Sequence, residues 1–201
     1  MHIRQERKDA AEHRKIILRT AQSLFAQHGV DQVSMHQIAK TAGVGQGTLY
    51  RRYTDKGNLC LDLIQESCQK LTEEIADALR RAADLPPLER FGLLLSQWID
   101  FIEDRSQWLN ALPANNTCEE RREIYYRSPL YLYMHDAVSG LLTQARLDKK
   151  DDARTVDPSF SAHAVLATLD PNLYALTKAE RGCSPDDYKT MMLRHLSPLF
   201  S

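Results

Sequence analysis

The stretch SMHQIAKTAGVGQGTLYRRY, residues 34–53, holds two short helical segments set apart by glycine. Ser34 is followed three places on by Gln37, the arrangement of a capping box, and Ile38, Ala39 and Ala42 then share one side of the turns that follow. Gly43 ends this first segment after two turns, because a residue without Cβ accepts the positive φ that closes a helix. Ala39 is small where two helices must approach, and Val44 is placed to fill the junction. A second short helix is predicted from about Gly45 to Tyr53. A two-turn helix, a glycine-marked turn and another short helix make the layout of a helix-turn-helix.

The facing of the second helix follows from about 100° per residue. Leu49 and Tyr53 share the inward side, while Gly47, Thr48 and Arg51 point away. Tyr50 and Arg52 lie on the flanks, and Gln46 stands in the exposed first turn. Such an outward face suits a DNA groove: Gly47 permits close approach, Thr48 donates to phosphate, and Arg51 forks onto guanine. Lys56 opens the next helix, where its charge opposes the macrodipole unless a phosphate docks on the free N–H groups there. A Walker-type cradle is excluded, since the order G-x-x-x-x-G-K-[ST] is absent. The same pattern also describes a plain helical hairpin with a solvated basic face.

Working outward, the whole chain reads helical. Ile17, Ala21, Leu24 and Phe25 form one face of a helix from Arg14 to the stop at Gly29. Thr54 is placed to cap a long helix whose stripe runs through Leu59, Leu63 or Ile64, Cys68, Leu71, Ile75 and Leu79 to about Ala83. Pro86 and Pro87 break the chain and permit a new start. An amphipathic helix is then expected over Leu88–Glu103, followed by a short turn containing Trp108 that ends near Pro113. A further helix is expected from about Glu119 to Leu147, kinked at Pro129, and DKKDDART reads as a solvated linker. Two helices are expected to close the chain: about Pro158–Ala179, interrupted at Pro171, and Ser184–Leu196, introduced by SPDD. No alternating strand pattern, repeat or low-complexity tract is found. The fold class is all-α.

The composition is that of a globular protein: 43% hydrophobic and 26% charged residues in 201 exclude wholesale disorder. Net charge is −1, but its distribution is uneven. Through Lys56 ten Lys or Arg face five acids, a balance of +5, and the remainder carries −6. A basic first quarter on an acidic body fits a chain that meets a polyanion at one end. The opening residues are too charged for a signal peptide, and no apolar run approaches bilayer length, so a cytoplasmic protein without membrane attachment is expected. Cys60, Cys68, Cys118 and Cys183 lie far apart without metal-ligand spacing, which points to no metal, no disulfide framework and no cofactor. No histidine or cysteine has a nucleophile or base at recognisable spacing, so no catalytic residue is assigned and an enzyme is not expected.

Arg14, Ile17, Leu18, Ala21, Leu24, Phe25 and Gly29 are followed by Ile38, Ala39, Ala42-Gly43-Val44 and Gly47-Thr48-Leu49-Tyr50. With the aromatic at 53 and Lys56, this run resembles the N-terminal domain of the TetR family of bacterial transcriptional regulators. The resemblance covers roughly Arg14 to Leu61, a quarter of the chain. It departs from the family where Gly45 replaces a frequent Ser or Thr cap, where Arg52 replaces a frequent His or Tyr, and where Gly57 replaces a frequent Glu or Ser. Those departures bear on the operator sequence.

The resemblance implies an N-terminal three-helix helix-turn-helix domain, residues 1–56, joined by a long helix to a larger helical domain, 57–201, that binds an effector and dimerises. Its DNA-contacting set here is Ser34, Gln46, Gly47, Thr48, Tyr50, Arg51, Arg52 and Lys56. It implies a homodimer on a near-palindromic double-stranded operator, in line with the few base pairs one short helix can touch. The interface is expected on the last two helices, from Ala162, Val165, Leu166, Leu169, Leu173 and Leu176 with Met191, Met192, Leu196 and Leu199. A small lipophilic effector is implied within the helical body, where Trp98, Phe101, Trp108, Tyr125, Tyr126 and Tyr133 are the candidate contacts and Tyr131 lies among them. Buried Tyr and Trp offer an apolar ring with one polar tip; aromatics at helical spacing are equally the make-up of a core. Asp100, Glu103 and Glu123 are carboxylates suited to a cationic ligand or simply to solvent. The rival function is a helical adaptor that binds proteins and not DNA, which has no need of the cationic constellation from Gly47 to Lys56.

Overall fold

The computed structural model describes residues 2–111, 126–149 and 157–200. Among these residues there are nine α-helices and no strand: α1 His2–His28, α2 Met35–Ala42, α3 Gln46–Arg52, α4 Lys56–Arg81, α5 Pro87–Asn110, α6 Pro129–Lys149, α7 Pro158–Thr168, α8 Pro171–Arg181 and α9 Pro185–Leu196. A 3-10 turn, Ser197–Leu199, follows α9. Each helix from α5 to α9 begins on proline, whose fixed φ suits the first turn and whose missing N–H would have no partner there.

Local chemistry explains most of the boundaries. Asp157 and Asp170 accept from the first-turn amides of α7 and α8, and Ser184 and Asp187 form a reciprocal capping box at α9. Gly29, Gly43 and Gly182 take positive φ where α1, α2 and α8 end. Four expectations are corrected. Helix α1 starts at His2 rather than Arg14, because residues 2–13 contain no Gly or Pro although the apolar face begins only at Ile17. At α4 the carboxylate of Asp55 accepts from Asn58 N at 2.8 Å, and Thr54 Oγ1 accepts from the Asn58 side chain instead of capping. Helix α5 continues through Trp108 to Asn110, since no breaker precedes Pro113. Pro129 starts α6 rather than kinking a longer helix, with Ser128 Oγ accepting from Tyr131 N at 3.1 Å; the expected stretch 119–125 lies outside the described residues.

The described residues divide into two compact units. One comprises 2–67 and 105–111, the other 68–104, 126–149 and 157–200. The first is packed around Ile17, Ala21, Phe25, Val33, Ile38, Leu49 and Leu59, all buried. The second is packed around Ile75, Phe91, Leu94, Leu95, Ile99, Val138, Val165 and Leu169, with Phe91 stacked on Phe200 at 5.0 Å. Helix α4 contributes residues to both. No helix of the described residues is long and apolar enough to cross a membrane.

Candidate nucleic-acid interface and effector cavity

In the first unit, α2 and α3 are joined by a tight turn. Ser34 accepts from Gln37 N at 3.1 Å, Gly43 N donates to Lys40 O, and Val44 N donates to Ala39 O at 3.1 Å. The last two bonds close a Schellman motif. Helix α3 begins at Gly45 without a side-chain cap and buries Leu49 completely. Gln46, Gly47, Tyr50, Arg51 and Arg52 are exposed around that anchor, and Thr48 is half-buried. A Cβ added at Gly47 would meet no atom within 4 Å, and its φ is not positive. Nothing in the chain's own packing requires glycine there, although glycine inside a helix costs about 0.5–1 kcal/mol relative to alanine.

Several exposed side chains of α3 are held by neighbours. Arg51 Nη2 donates to Thr48 Oγ1 at 3.2 Å, so the guanidinium is steered from within the helix. Arg52 Nη2 donates to Ala10 O at 3.1 Å and ties α3 to α1. Gln46 Nε2 is hydrogen-bonded to His36 Nδ1 on α2. Lys56 donates from Nζ to Val30 O at 2.6 Å and to Asp31 O at 3.3 Å, two of the three donations an ammonium can make.

Behind this face a charged clamp fixes the end of α3. Asp62 on α4 accepts from Tyr53 Oη at 2.6 Å and from Arg14 Nε and Nη2 at 2.9 and 2.5 Å. Burial disfavours the Asp62 charge, but the hydrogen bonds from Arg14 and Tyr53 outweigh it and hold the carboxyl below its ordinary value. Burial and the bond to Asp62 push the Tyr53 phenol up. The clamp joins residues 48 positions apart, and sequence periodicity carries no sign of it.

The second unit contains a small cavity of about 30 Å³ lined by Trp98, Ser128, Leu130, Tyr131, Met134, Leu166 and Leu169. No charged side chain lines it. The polar tips of both aromatics are already engaged: Trp98 Nε1 donates to Leu169 O at 2.8 Å, and Tyr131 Oη is hydrogen-bonded to His163 Nδ1 at 2.7 Å.

Of the six aromatics expected to touch an effector, Trp98 lines the cavity. Phe101 stacks on Trp98 at 5.6 Å, and Tyr126 packs edge-on against Tyr131 at 5.0 Å. Tyr133 is half-buried. Trp108 belongs to the first unit, with the Arg105 guanidinium over its ring, and Tyr125 lies outside the described residues, as does Glu123. Glu103 is occupied by Tyr174 and Lys178, and Asp100 by Lys189. Met134, Leu130, Leu166 and Leu169 were not singled out as cavity residues; helical periodicity marks them only as apolar.

Among the positions expected at a dimer interface, Ala162, Val165, Leu166, Leu169 and Leu196 are buried in their own chain. Leu173, Leu176, Met191 and Leu199 are exposed, and so is Phe160, at 64%.

Residues 17–63 match the family model described as bacterial regulatory proteins, tetR family. Over 190 residues the chain is 29% identical to the HTH-type transcriptional regulator SAB2452 of Staphylococcus aureus (strain bovine RF122 / ET3-1), an alignment covering 93% of this chain and 94% of that one. Among solved structures, Thermus thermophilus FadR, described as a TetR family transcriptional repressor in complex with lauroyl-CoA, shares the fold with a TM-score of 0.64 at 21% identity, over 91% of this chain and 92% of that one. The SmeT–triclosan complex shares it with a TM-score of 0.58 at 18% identity, over 93% and 91% of the two chains.

Proposed function

We infer that this chain, whose residues 17–63 match the tetR family model and which is 29% identical to an HTH-type transcriptional regulator over 190 residues, is a TetR-family regulator and not an enzyme, and from that premise we propose a homodimeric repressor released from a near-palindromic DNA operator by a small lipophilic effector. Residues 1–56 serve the DNA, and residues 57–201 serve the effector and the second copy, in the cytoplasm where the operator lies. Ser34, Gln46, Gly47, Thr48, Tyr50, Arg51, Arg52 and Lys56 are the residues assigned to the duplex. The observation that carries this reading is the exposed, cationic α3 with a glycine at 47 that the fold itself does not require. Close approach of a groove wall supplies the missing reason. Exposed Phe160, Leu173 and Leu176 on consecutive helices support pairing of two copies.

The cavity supports a lipophilic effector through its lining and a change of arrangement through its size. A space of about 30 Å³ has room for one or two water molecules. An effector therefore acts by favouring a widened arrangement of α5, α6 and α7, and it relieves repression only to the extent that it binds the two arrangements differently.

Selection of duplexes from a random pool tests the first half: a two-fold symmetric sequence is expected, and failure to retain any duplex in dilute salt removes the reading. Lauroyl-CoA and triclosan, ligands of the two structural relatives, are the first probes for the second half. Each is titrated into the protein–operator complex, and a probe that binds yet leaves operator affinity unchanged argues against release.

A further inference from the structure

We propose that the effector is a lipophilic acid, whose anionic group takes the place of the Tyr131 hydroxyl on His163 and whose apolar part enters the cavity beside Trp98. The proposal rests on the effector half of the repressor reading and names the chemical class of its ligand.

Tyr131 belongs to two environments at once. Its ring forms part of the wall of the cavity, and its Oη is hydrogen-bonded at 2.7 Å to Nδ1 of His163 on α7, an exposed residue. The tyrosine itself is buried, at 6% exposure, so it stands between an apolar space and an imidazole at the surface. Swinging it aside enlarges the cavity and uncovers the imidazole in the same movement.

A polar cluster lies behind the hydroxyl. The ring centroids of His163 and His135 are 4.2 Å apart. His135, on α6, directs Nε2 at Ser159 O and Oγ, both at 3.2 Å, and Nδ1 at Asp136 Oδ1, also at 3.2 Å. A carbonyl and a carboxylate only accept, so both nitrogens of His135 are set to donate, the pattern of a protonated ring. Two imidazoles so close repel once both are protonated, and an anion beside them offsets that cost. Burial and the nearby Tyr126 push the Tyr131 phenol up, so it meets His163 as a neutral hydroxyl. A carboxylate bonds to a charged donor about twice as strongly as a neutral group does, which lets an acid exchange with that hydroxyl.

A cation has no such place. No charged side chain lines the cavity, Glu103 is taken by Tyr174 and Lys178, and Asp100 by Lys189. Asp136, the carboxylate beside the imidazoles, has a side chain 85% exposed and is screened by solvent. A neutral lipophile fills the apolar space but gains from His163 no more than Tyr131 already does.

The test is calorimetric titration of the full-length protein at neutral pH with three probes of one chain length: decanoate, decanol and decylammonium. Wild type is expected to bind decanoate about tenfold more tightly than decanol, the margin of a charged hydrogen bond over a neutral one, and decylammonium more weakly than either. His163→Leu is expected to bring decanoate down to the level of decanol and to leave decanol unchanged, which shows the cavity intact. Tyr131→Phe keeps the ring but removes the competing hydroxyl, and it is expected to bind decanoate more tightly than wild type. Decanol or decylammonium bound by wild type as tightly as decanoate overturns the proposal alone. So does a preference for decanoate that survives His163→Leu, or weakened decanoate binding in Tyr131→Phe. A wild type that binds none of the three overturns the effector half of the repressor reading together with it.

Discussion

The helix-turn-helix and the cavity of the second unit use side chains in opposite ways. On α3 a single buried leucine, Leu49, secures a short helix so that Gln46, Gly47, Tyr50, Arg51 and Arg52 face outward. Around the cavity, Trp98 and Tyr131 turn their polar tips into internal hydrogen bonds and leave an apolar lining. In the function proposed above, the first region meets DNA with little rearrangement, whereas the second is nearly filled and opens for an effector. The difference shows why one surface is readable from a short motif and the other is not. A groove-reading helix is defined by a few consecutive residues, whereas a cavity is what remains after distant faces have packed.

Substitutions on the first unit sharpen that contrast. Leu49→Ala removes the one fully buried side chain of α3 and is expected to cost about 2–5 kcal/mol of stability in urea unfolding. A loss much below that range would mean that α3 is held mainly by its termini. Arg51→Ala is expected to cost about 1–3 kcal/mol of discrimination at one base position. If all duplexes weaken alike in quantitative gel shifts, Arg51 only attracts phosphate.

Asp62→Asn tests the clamp behind the reading face. It keeps the shape but loses the charge that Arg14 and Tyr53 share, and a cost of about 1–2 kcal/mol is expected near neutral pH. Since the folded carboxyl lies below its ordinary value, its stabilisation is fully present above the unfolded carboxylate range and is lost as pH falls through the folded value. Wild type and variant should therefore converge in unfolding experiments carried to increasingly acid pH. A gap that persists with Asp62 protonated would assign the cost to shape rather than charge.

The smallest expected change is the most discriminating one. Gly47→Ala should raise stability by about 0.5–1 kcal/mol, because the added methyl meets nothing and the helix gains a better former. The same substitution is expected to weaken operator binding. A variant that is both more stable and an equally good binder would show that no groove wall comes close to residue 47.

Legibility differed from place to place for physical reasons. Capping signals operate over three or four residues, and Ser34 with Gln37, the proline starts of α7 to α9 and the glycine stops after α1 and α2 were therefore readable. The start of α1 at His2 and the extension of α5 through Trp108 were missed because helix propensity continued where the apolar stripe gave no cue. The contact of the Lys56 ammonium with the carbonyls of Val30 and Asp31 is not legible in the sequence, because it is set by how a loop 25 residues earlier folds back. His36 was unmarked, since its partner lies across the turn on the next helix.

From its residues alone this chain is all-helical, with a cationic two-helix tip near its N-terminus, because periodicity, caps and breakers act between near neighbours. Tertiary structure decided which aromatics surround the cavity, which interface candidates were spent on the chain's own core, and which exposed polar groups arrive already paired. Contacts such as Arg14 with Asp62, 48 positions apart, and Trp98 with Leu169, 71 apart, join surfaces whose partners no local pattern records.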